Sequence, residues 1–154
     1  MDYQAKLKTP FGVLGIRCMD AALTGIDFLA PGAAQQSPRN ALTRKVCEQL
    51  SAYFADADFR FELPLSPGGT AHQNKVWRQM CAISRGQVKT YSDLASKIHS
   101  SPRAVGQACG SNPIPVVIPC HRVVSKAGLG GFMHSSGGYA LDIKQWLLAH
   151  EGVI

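Results

Sequence analysis

The 154-residue sequence has no long hydrophobic stretch, no run of basic residues and no closely spaced pair of cysteines. A transmembrane helix needs about 20 apolar residues in a row, so the sequence predicts no membrane span. We see no signal-peptide pattern, internal repeat or low-complexity tract. The cysteines are odd in number, widely spaced and without a C-x-x-C pair: Cys18, Cys47, Cys81, Cys109 and Cys120. These absences predict a protein without disulfides in a reducing compartment, cytoplasmic or, in a eukaryote, nuclear.

The composition is that of an ordinary globular protein, with 45% hydrophobic residues and a formal net charge of +6. The length suits one or two small domains with a real core. The isoelectric point of about 9.2 weakly favours a polyanionic partner such as nucleic acid.

The first part of the chain predicts an α/β domain over residues 1–66. Alternating apolar residues indicate strands near residues 3–7, 13–16 and 23–28, with a turn at Met19-Asp20. Helical spacing of apolar residues predicts an amphipathic helix from Ala41 to Ala55. Phe59, Phe61 and Leu63 alternate and predict a last strand. The segment 64–69, rich in proline and glycine, is the best candidate for a linker.

The second part, residues 67–154, predicts a mostly helical domain. Thr70 opens a helix that we expect to end at Arg85-Gly86, and Thr90 opens a short second helix. Ser101-Pro102 is an N-cap followed by proline at the first helical position. Two short helices joined by a tight turn indicate a helix-turn-helix. A last helix ends near His150.

The second short helix carries small residues where a major-groove reader needs several long polar ones. From Arg103 to Gly110 only Arg103 and Gln107 are long and polar. Glycine in a helix costs about 1 kcal/mol relative to alanine, so Gly106 and Gly110 need a reason. Close packing against a neighbouring helix and shallow entry into a minor groove explain them equally well.

The most informative segment is Asn112-Pro113-Ile114-Pro115-Val116-Val117-Ile118-Pro119-Cys120-His121-Arg122-Val123-Val124. Proline fixes φ and removes an N–H donor, so this apolar stretch predicts a stiff, buried, irregular segment. A thiol beside a cationic residue and a base is typical of an activated nucleophile. A buried structural cysteine is the commoner fate of a free thiol. Taken alone, Cys120, His121 and Glu151 form a candidate nucleophile, base and orienting carboxylate.

The Pro-Cys-His-Arg sequence resembles the active-site signature of the O6-alkylguanine-DNA alkyltransferases, the methylated-DNA–protein-cysteine methyltransferases. The resemblance is strong from Gly69 to the C-terminus and loose before it. It includes G-x-V-x-T-Y-x-x-L-A from Gly86, R-A-V-G from Arg103, Asn112-Pro113, and W-L-L-A-H-E-G from Trp146.

The resemblance implies a ribonuclease-H-like N-terminal domain and a helical C-terminal domain with a minor-groove helix-turn-helix of winged-helix-like type. Cys120 would accept the alkyl group of O6-alkylguanine, and of O4-alkylthymine, once and irreversibly. His121 would take its proton through a water, and Glu151 would orient His121. Asn112 would hold the loop around the active site. Tyr91 would sit near the phosphate of the flipped nucleotide and assist protonation of the leaving base.

Arg103 would replace the extruded base, and the DNA contacts implied by the resemblance are Arg103, Tyr91, Ser92, Ala104 and Gly106. Alkyl transfer needs the base out of the stack, because a thiol inside a protein cannot enter a duplex. The implied pocket residues are Pro115, Val123, Ser136 and Lys144. The protein would act as a monomer on double-stranded DNA.

Two departures from the family pattern stand out. The loop from Gly128 to Gly138 is a few residues longer, which leaves Ser135 and Ser136 as alternatives for the guanine pocket. Some relatives bind zinc in the N-terminal domain, but here only Cys18 lies near such a position and no histidine matches. We therefore predict no metal and no cofactor.

Three other functions fit parts of the sequence. A lesion sensor related to the alkyltransferases would lack the cysteine that is present at position 120. A helix-turn-helix transcription factor is disfavoured by the thin polar content of the second helix. A Cys-His hydrolase would turn over an ester or amide, and nothing in the sequence suggests a pocket for one.

Overall fold

The computed structural model describes residues 2–134 and 138–154, and the chain forms two compact units, Met1–Pro67 and Gly68–Ile154. The first unit is an α/β structure and the second is mostly helical, as the sequence predicts. In the described residues, no helix is long and apolar enough to cross a membrane.

The first unit contains an antiparallel sheet of three sequential strands. Their bounds are β1 (Ala5–Thr9), β2 (Gly12–Met19) and β3 (Ala22–Leu29). Asp20 and Ala21 connect β2 to β3 with φ values of 50° and 63°. Two central residues with positive φ match the right-handed twist of the paired strands, so this tight turn fixes the register. The apolar face of the sheet includes Leu14, Ile16 and Ile26, all almost fully buried.

Helix α1 (Ala41–Ala55) has the predicted bounds. Asn40 caps it by accepting a hydrogen bond from the N–H of Thr43 at 2.9 Å. Its buried face includes Val46, Leu50 and Tyr53, which recur at helical spacing.

The predicted strand through Phe59, Phe61 and Leu63 is wrong. Phe61 packs on Tyr53 of α1 with ring centroids 5.4 Å apart, and Phe59 packs on Phe61. The peptide groups between Phe61 and Leu63 bond to the side chain of Gln49 rather than to a strand. The alternation therefore reflects aromatic packing on α1, while the backbone has no ladder partner.

The second unit contains four helices and two short strands in its described part. They are α2 (Ala71–Cys81), β4 (Lys89–Thr90), α3 (Tyr91–Ile98), α4 (Pro102–Gly110), β5 (Val123–Val124) and α5 (Gly138–His150). The predicted caps are confirmed. Thr70 and Thr90 form capping boxes, and the Ser101 hydroxyl accepts from the N–H of Ala104.

Helix α2 ends at Cys81, earlier than the expected stop at Arg85-Gly86. The N–H groups of Ala82 and Ile83 bond to carbonyls three residues back, at 3.2 and 3.0 Å. Such bonds tighten the last turn and end the helix.

Helices α3 and α4, joined by residues 99–101, form the predicted helix-turn-helix. Strands β4 and β5 pair in parallel, with Lys89 opposite Val123 and Thr90 opposite Val124. Tyr91 directly follows β4, and a short 3-10 helix, Cys120–Arg122, directly precedes β5. This pairing therefore brings the start of the helix-turn-helix beside the cysteine.

Candidate active site

A stiff loop holds Cys120. The side chain of Asn112 donates to the carbonyl of Ile118 at 2.8 Å and accepts from the N–H of Ile114 at 3.0 Å, so it ties both ends of the loop. Val116 has a φ of 75°, a rare conformation for a β-branched residue that costs about 1–3 kcal/mol and persists only in a rigid surround. Cys120 follows this loop and is only 4% exposed.

The thiol of Cys120 faces a cavity of about 330 Å³, near the small end of ligand-binding pockets. The cavity lies between α3, α4, the cysteine and the loop before α5. Its lining residues are Tyr91, Gly106, Gln107, Cys109, Gly110, Cys120, Gly131, Phe132, Met133 and His134.

His121, Glu151 and Arg122 form a buried network behind the cysteine. The Nε2–H of His121 donates to Glu151 Oε2 at 2.8 Å. Arg122 donates from Nε to Oε1 at 2.8 Å and from Nη2 to Oε2 at 2.9 Å, and from Nη1 to the carbonyl of Ile83. The paired carboxylate needs a donor at Oε2, which assigns the proton of neutral His121 to Nε2.

The other ring nitrogen of His121, Nδ1, is buried and has no hydrogen-bond partner in the described residues. Burial lowers the pKa of His121, although the hydrogen bond and charge of Glu151 oppose this. The imidazole is therefore neutral at pH 7, and Nδ1 carries a lone pair that can accept a proton.

The sequence suggests that the cation next to the thiol activates it, but the structure shows otherwise. Burial raises the pKa of Cys120 to about 11, although a hydrogen bond from Asn112 and the charge of Lys144 lower it. The guanidinium of Arg122 is committed to Glu151 and Ile83. The resting residue is therefore a neutral thiol at pH 7, and it needs a base to react as a thiolate.

Tyr91 lines the cavity from the first turn of α3. Burial raises its pKa, so the phenol keeps its proton at neutral pH. The backbone of Gly131 opposes this rise in pKa only in part.

The predicted DNA contacts lie on α3 and α4. Arg103 is exposed in the first turn of α4, and Ser92 and Ala104 are half-buried. Gly106 lines the cavity, and a β-carbon placed there meets only a Tyr91 carbon, at 4.0 Å. Packing within the described protein does not require glycine at this position.

Three of the four predicted pocket residues lie outside the lining of this cavity. Pro115 and Val123 are buried, and neither they nor Lys144 line the described cavity. The ammonium of Lys144 is taken up by three backbone carbonyls. Ser136, like its alternative Ser135, lies outside the described residues.

Sequence reasoning missed His134, which lines the cavity from the lengthened loop. Its Nε2 lies 3.1 Å from the hydroxyl of Ser111, and a β-carbon at Gly110 would clash with its ring. Glycine at position 110 therefore leaves room for the His134 ring. The extra loop length was the only signal in the sequence that pointed here.

In residues 2–134 and 138–154, no three histidine, cysteine, aspartate or glutamate side chains are grouped to hold a metal.

Two family models match the chain. Residues 3–67 match the ribonuclease-like domain of 6-O-methylguanine DNA methyltransferase, and residues 71–153 match its DNA-binding domain. These matches agree with an α/β first unit and a helical second unit that contains the buried thiol.

Individual relatives agree with the family models. A methylated-DNA–protein-cysteine methyltransferase of Methanosarcina barkeri is 36% identical, covering 97% of this chain and 96% of that protein. One of Shigella flexneri is 41% identical, covering 98% and 96%. The crystal structure of Mycobacterium tuberculosis O6-methylguanine methyltransferase has a TM-score of 0.81 and 29% identity, over 95% of this chain and 90% of that one. A structure of the M. tuberculosis protein in complex with DNA also has a TM-score of 0.81.

A buried cysteine beside a histidine–carboxylate pair, in a helical domain that follows a ribonuclease-like one, defines a thiol-dependent protein of DNA metabolism. The chain belongs to the 6-O-methylguanine DNA methyltransferase family. The predicted family and fold class are confirmed.

Proposed function

We propose that this protein repairs DNA by moving the alkyl group of O6-alkylguanine, and of O4-alkylthymine, in duplex DNA onto Sγ of Cys120. The transfer is direct, irreversible and stoichiometric, and the protein acts as a monomer. The observation that carries the proposal is the Cys120 thiol in a ligand-sized cavity, beside a neutral His121 with an unpaired Nδ1.

The reaction is a displacement at the alkyl carbon. The bond from Sγ to carbon forms while the bond from carbon to O6 of the purine breaks. Because the thiol is neutral at rest, its proton passes to Nδ1 of His121 through one water molecule. Glu151 accepts from Nε2 at 2.8 Å and stabilises the imidazolium that forms. The purine leaves as an anion and takes up one proton, donated by Tyr91, which regains it from the His121 imidazolium through water. The products are therefore a thioether and unmodified guanine, and the proton lost by the thiol is the one that guanine gains.

Tyr91 assists the departing purine. Its hydroxyl lines the same cavity as the thiol and keeps its proton at neutral pH. Negative charge develops on the purine as the alkyl group leaves, and a positioned donor of this kind contributes about 10²–10⁴-fold to the rate.

DNA is the partner that the second unit favours, because residues 71–153 match a DNA-binding domain. We propose domains at 1–66 and 67–154, with DNA binding and alkyl acceptance both in the second. Helix α4 enters the minor groove, where small residues such as Ala104 and Gly106 allow the backbone to approach. Exposed Arg103 fills the stack after the alkylated nucleotide has flipped out.

The test is the intact mass of the protein after it is mixed with duplex DNA that contains O6-methylguanine. We expect a single gain of one CH2 unit, located on Cys120 by peptide mapping. Cys120→Ser should gain nothing yet still bind the duplex, because phosphate contacts do not involve the thiol. Cys81→Ser, which changes an exposed cysteine of the same unit, should behave as the wild type.

Other outcomes would support other functions. Binding without a mass gain would indicate a lesion sensor. Binding that ignores the lesion would indicate a transcription factor. A transient mass gain followed by multiple turnovers on an ester would indicate a hydrolase. Each of these results would reject transfer to Cys120.

A further inference from the structure

We propose that Lys144 is a positioning residue: it holds the loop wall of the Cys120 cavity and, through residues 129–131, sets the place of the Tyr91 hydroxyl. The inference rests on the proposed alkyl transfer, because it concerns how the same cavity receives its substrate.

The ammonium of Lys144 is fully buried on α5 and donates three hydrogen bonds. Its acceptors are the backbone carbonyls of Val123 at 2.7 Å, Leu129 at 2.6 Å and Gly131 at 2.8 Å. A lysine ammonium has three donors and no acceptor, so its hydrogen-bonding capacity is filled. Lys144 therefore has no donor left for a substrate unless one of these bonds breaks.

The three carbonyls come from two segments on either side of the cavity. Val123 directly follows the 3-10 helix that carries the thiol. Leu129 and Gly131 belong to the loop whose residues 131–134 line the cavity. The ammonium of Lys144 therefore links residues 129–131 of the cavity wall to the residue that follows the 3-10 helix of Cys120. Burying a charge is costly unless it is well hydrogen-bonded, so three acceptors at one ammonium indicate a specific structural task.

The loop in turn contacts Tyr91. At Gly130, which has a φ of 72°, a β-carbon would lie 2.7 Å from the Tyr91 hydroxyl oxygen and 3.0 Å from a carbon of its ring, so the loop backbone packs directly against the phenol. Any displacement of residues 129–131 therefore moves the group that faces the departing purine.

A rival role for Lys144 is purely electrostatic. Its charge lowers the pKa of Cys120, which burial raises to about 11, and burial lowers the pKa of Lys144 itself to about 8. The two roles can be separated with Lys144→Arg. Arginine keeps the charge, but its planar fork cannot send three donors from one atom to three converging carbonyls.

The first experiment compares two reactions of Cys120 in Lys144→Arg: with free O6-benzylguanine, whose purine needs the loop wall and the Tyr91 hydroxyl, and with iodoacetamide, a small reagent whose leaving iodide needs no proton donor. Losing a well-placed donor set should slow the first reaction by about tenfold or more and leave the second within about threefold. Lys97→Arg, an exposed lysine on α3, is the control and should change neither. Equal losses in both reactions, or no loss in either, would overturn the proposal.

A double-mutant cycle with Tyr91→Phe tests the path through residues 129–131. If Lys144 acts by placing the phenol, Lys144→Arg should slow the reaction with O6-benzylguanine much less when Tyr91 is already phenylalanine. We expect the rate loss to be smaller by a factor of about three or more than in the protein that keeps Tyr91. Independent, multiplicative losses would show that Lys144 does not act through Tyr91.

If Lys144→Arg fails to fold, a comparison of the wild-type protein with Tyr91→Phe decides the matter. In protein with 15N-labelled lysine, the protons on Nζ of Lys144 should exchange slowly with water because all three are hydrogen-bonded. Tyr91→Phe should shift the Nζ resonance of Lys144. An unshifted resonance would overturn the inference. Failure of the proposed function is distinct, since wild-type protein would then transfer no alkyl group to Cys120.

Discussion

Replacing Glu151 by glutamine should disable the base behind Cys120 without changing the shape of the site. Glu151 is 1% exposed and accepts three hydrogen bonds. Oε2 accepts from His121 Nε2 and Arg122 Nη2, and Oε1 accepts from Arg122 Nε. A glutamine amide has one oxygen and one NH2, so one of these positions becomes a donor that faces another donor.

Both orientations of the amide are unfavourable. If its oxygen faces Arg122 Nε, its NH2 faces His121, whose ring must then move its proton to Nδ1 and lose the basic atom. If its oxygen faces His121, the NH2 opposes Arg122 Nε. Removing one partner of a buried ion pair typically costs 3–5 kcal/mol, and Arg122 is 14% exposed, so we expect about 3 kcal/mol.

Tryptophan fluorescence of the whole protein reports the unfolding of the second unit, because both tryptophans, Trp77 and Trp146, lie there. Urea unfolding followed by tryptophan fluorescence should show a free energy of unfolding lower by about 3 kcal/mol for Glu151→Gln. Asp142→Asn makes the same chemical change at an exposed position of α5 and should stay within about 0.5 kcal/mol of the wild type.

The rate should fall in a separate assay. Single-turnover reaction with free O6-benzylguanine needs no base flipping, and loss of a general base should slow it by about 10²–10⁴-fold at pH 7. A glutamine variant that keeps both its unfolding free energy and its rate would refute the assignment of Nδ1 as the proton acceptor.

Three further predictions concern the cysteine and helix α4. Because burial raises the pKa of Cys120 to about 11, its alkylation by iodoacetamide should rise about tenfold per pH unit from pH 7 to 9 and beyond; a plateau near pH 8.5 would mean an exposed, unperturbed thiol. Arg103→Ala should slow repair of duplex DNA far more than reaction with the free base, since flipping costs a few kcal/mol; equal losses would assign Arg103 to the fold. Gly106→Ala should raise the free energy of unfolding by up to about 1 kcal/mol and weaken DNA binding, whereas Gly110→Ala must also displace His134 and should therefore melt at a lower temperature than Gly106→Ala. Equal melting temperatures for the two variants would contradict the packing described for Gly110.

The helix starts of the second unit could be predicted because their hydrogen bonds are local. Thr70 and Thr90 each bond to a residue three positions later, so both partners are adjacent in the sequence. The stiffness of the loop before Cys120 is likewise a property of its prolines. By contrast, Phe59 and Phe61 have the period of a strand, but whether a strand forms depends on a neighbouring backbone that no local pattern specifies.

The sequence alone determined which residues could do the chemistry, because a Pro-Cys-His-Arg segment is readable letter by letter and supports the family resemblance. Tertiary structure decided what those residues do to one another. Arg122 is bound to a carboxylate 29 positions away, and burial leaves Cys120 a neutral thiol. The partners of Lys144 are backbone carbonyls, which every residue carries and no sequence distinguishes. Burial and long-range distance set charge and orientation in this site, and both arise only when the chain has folded.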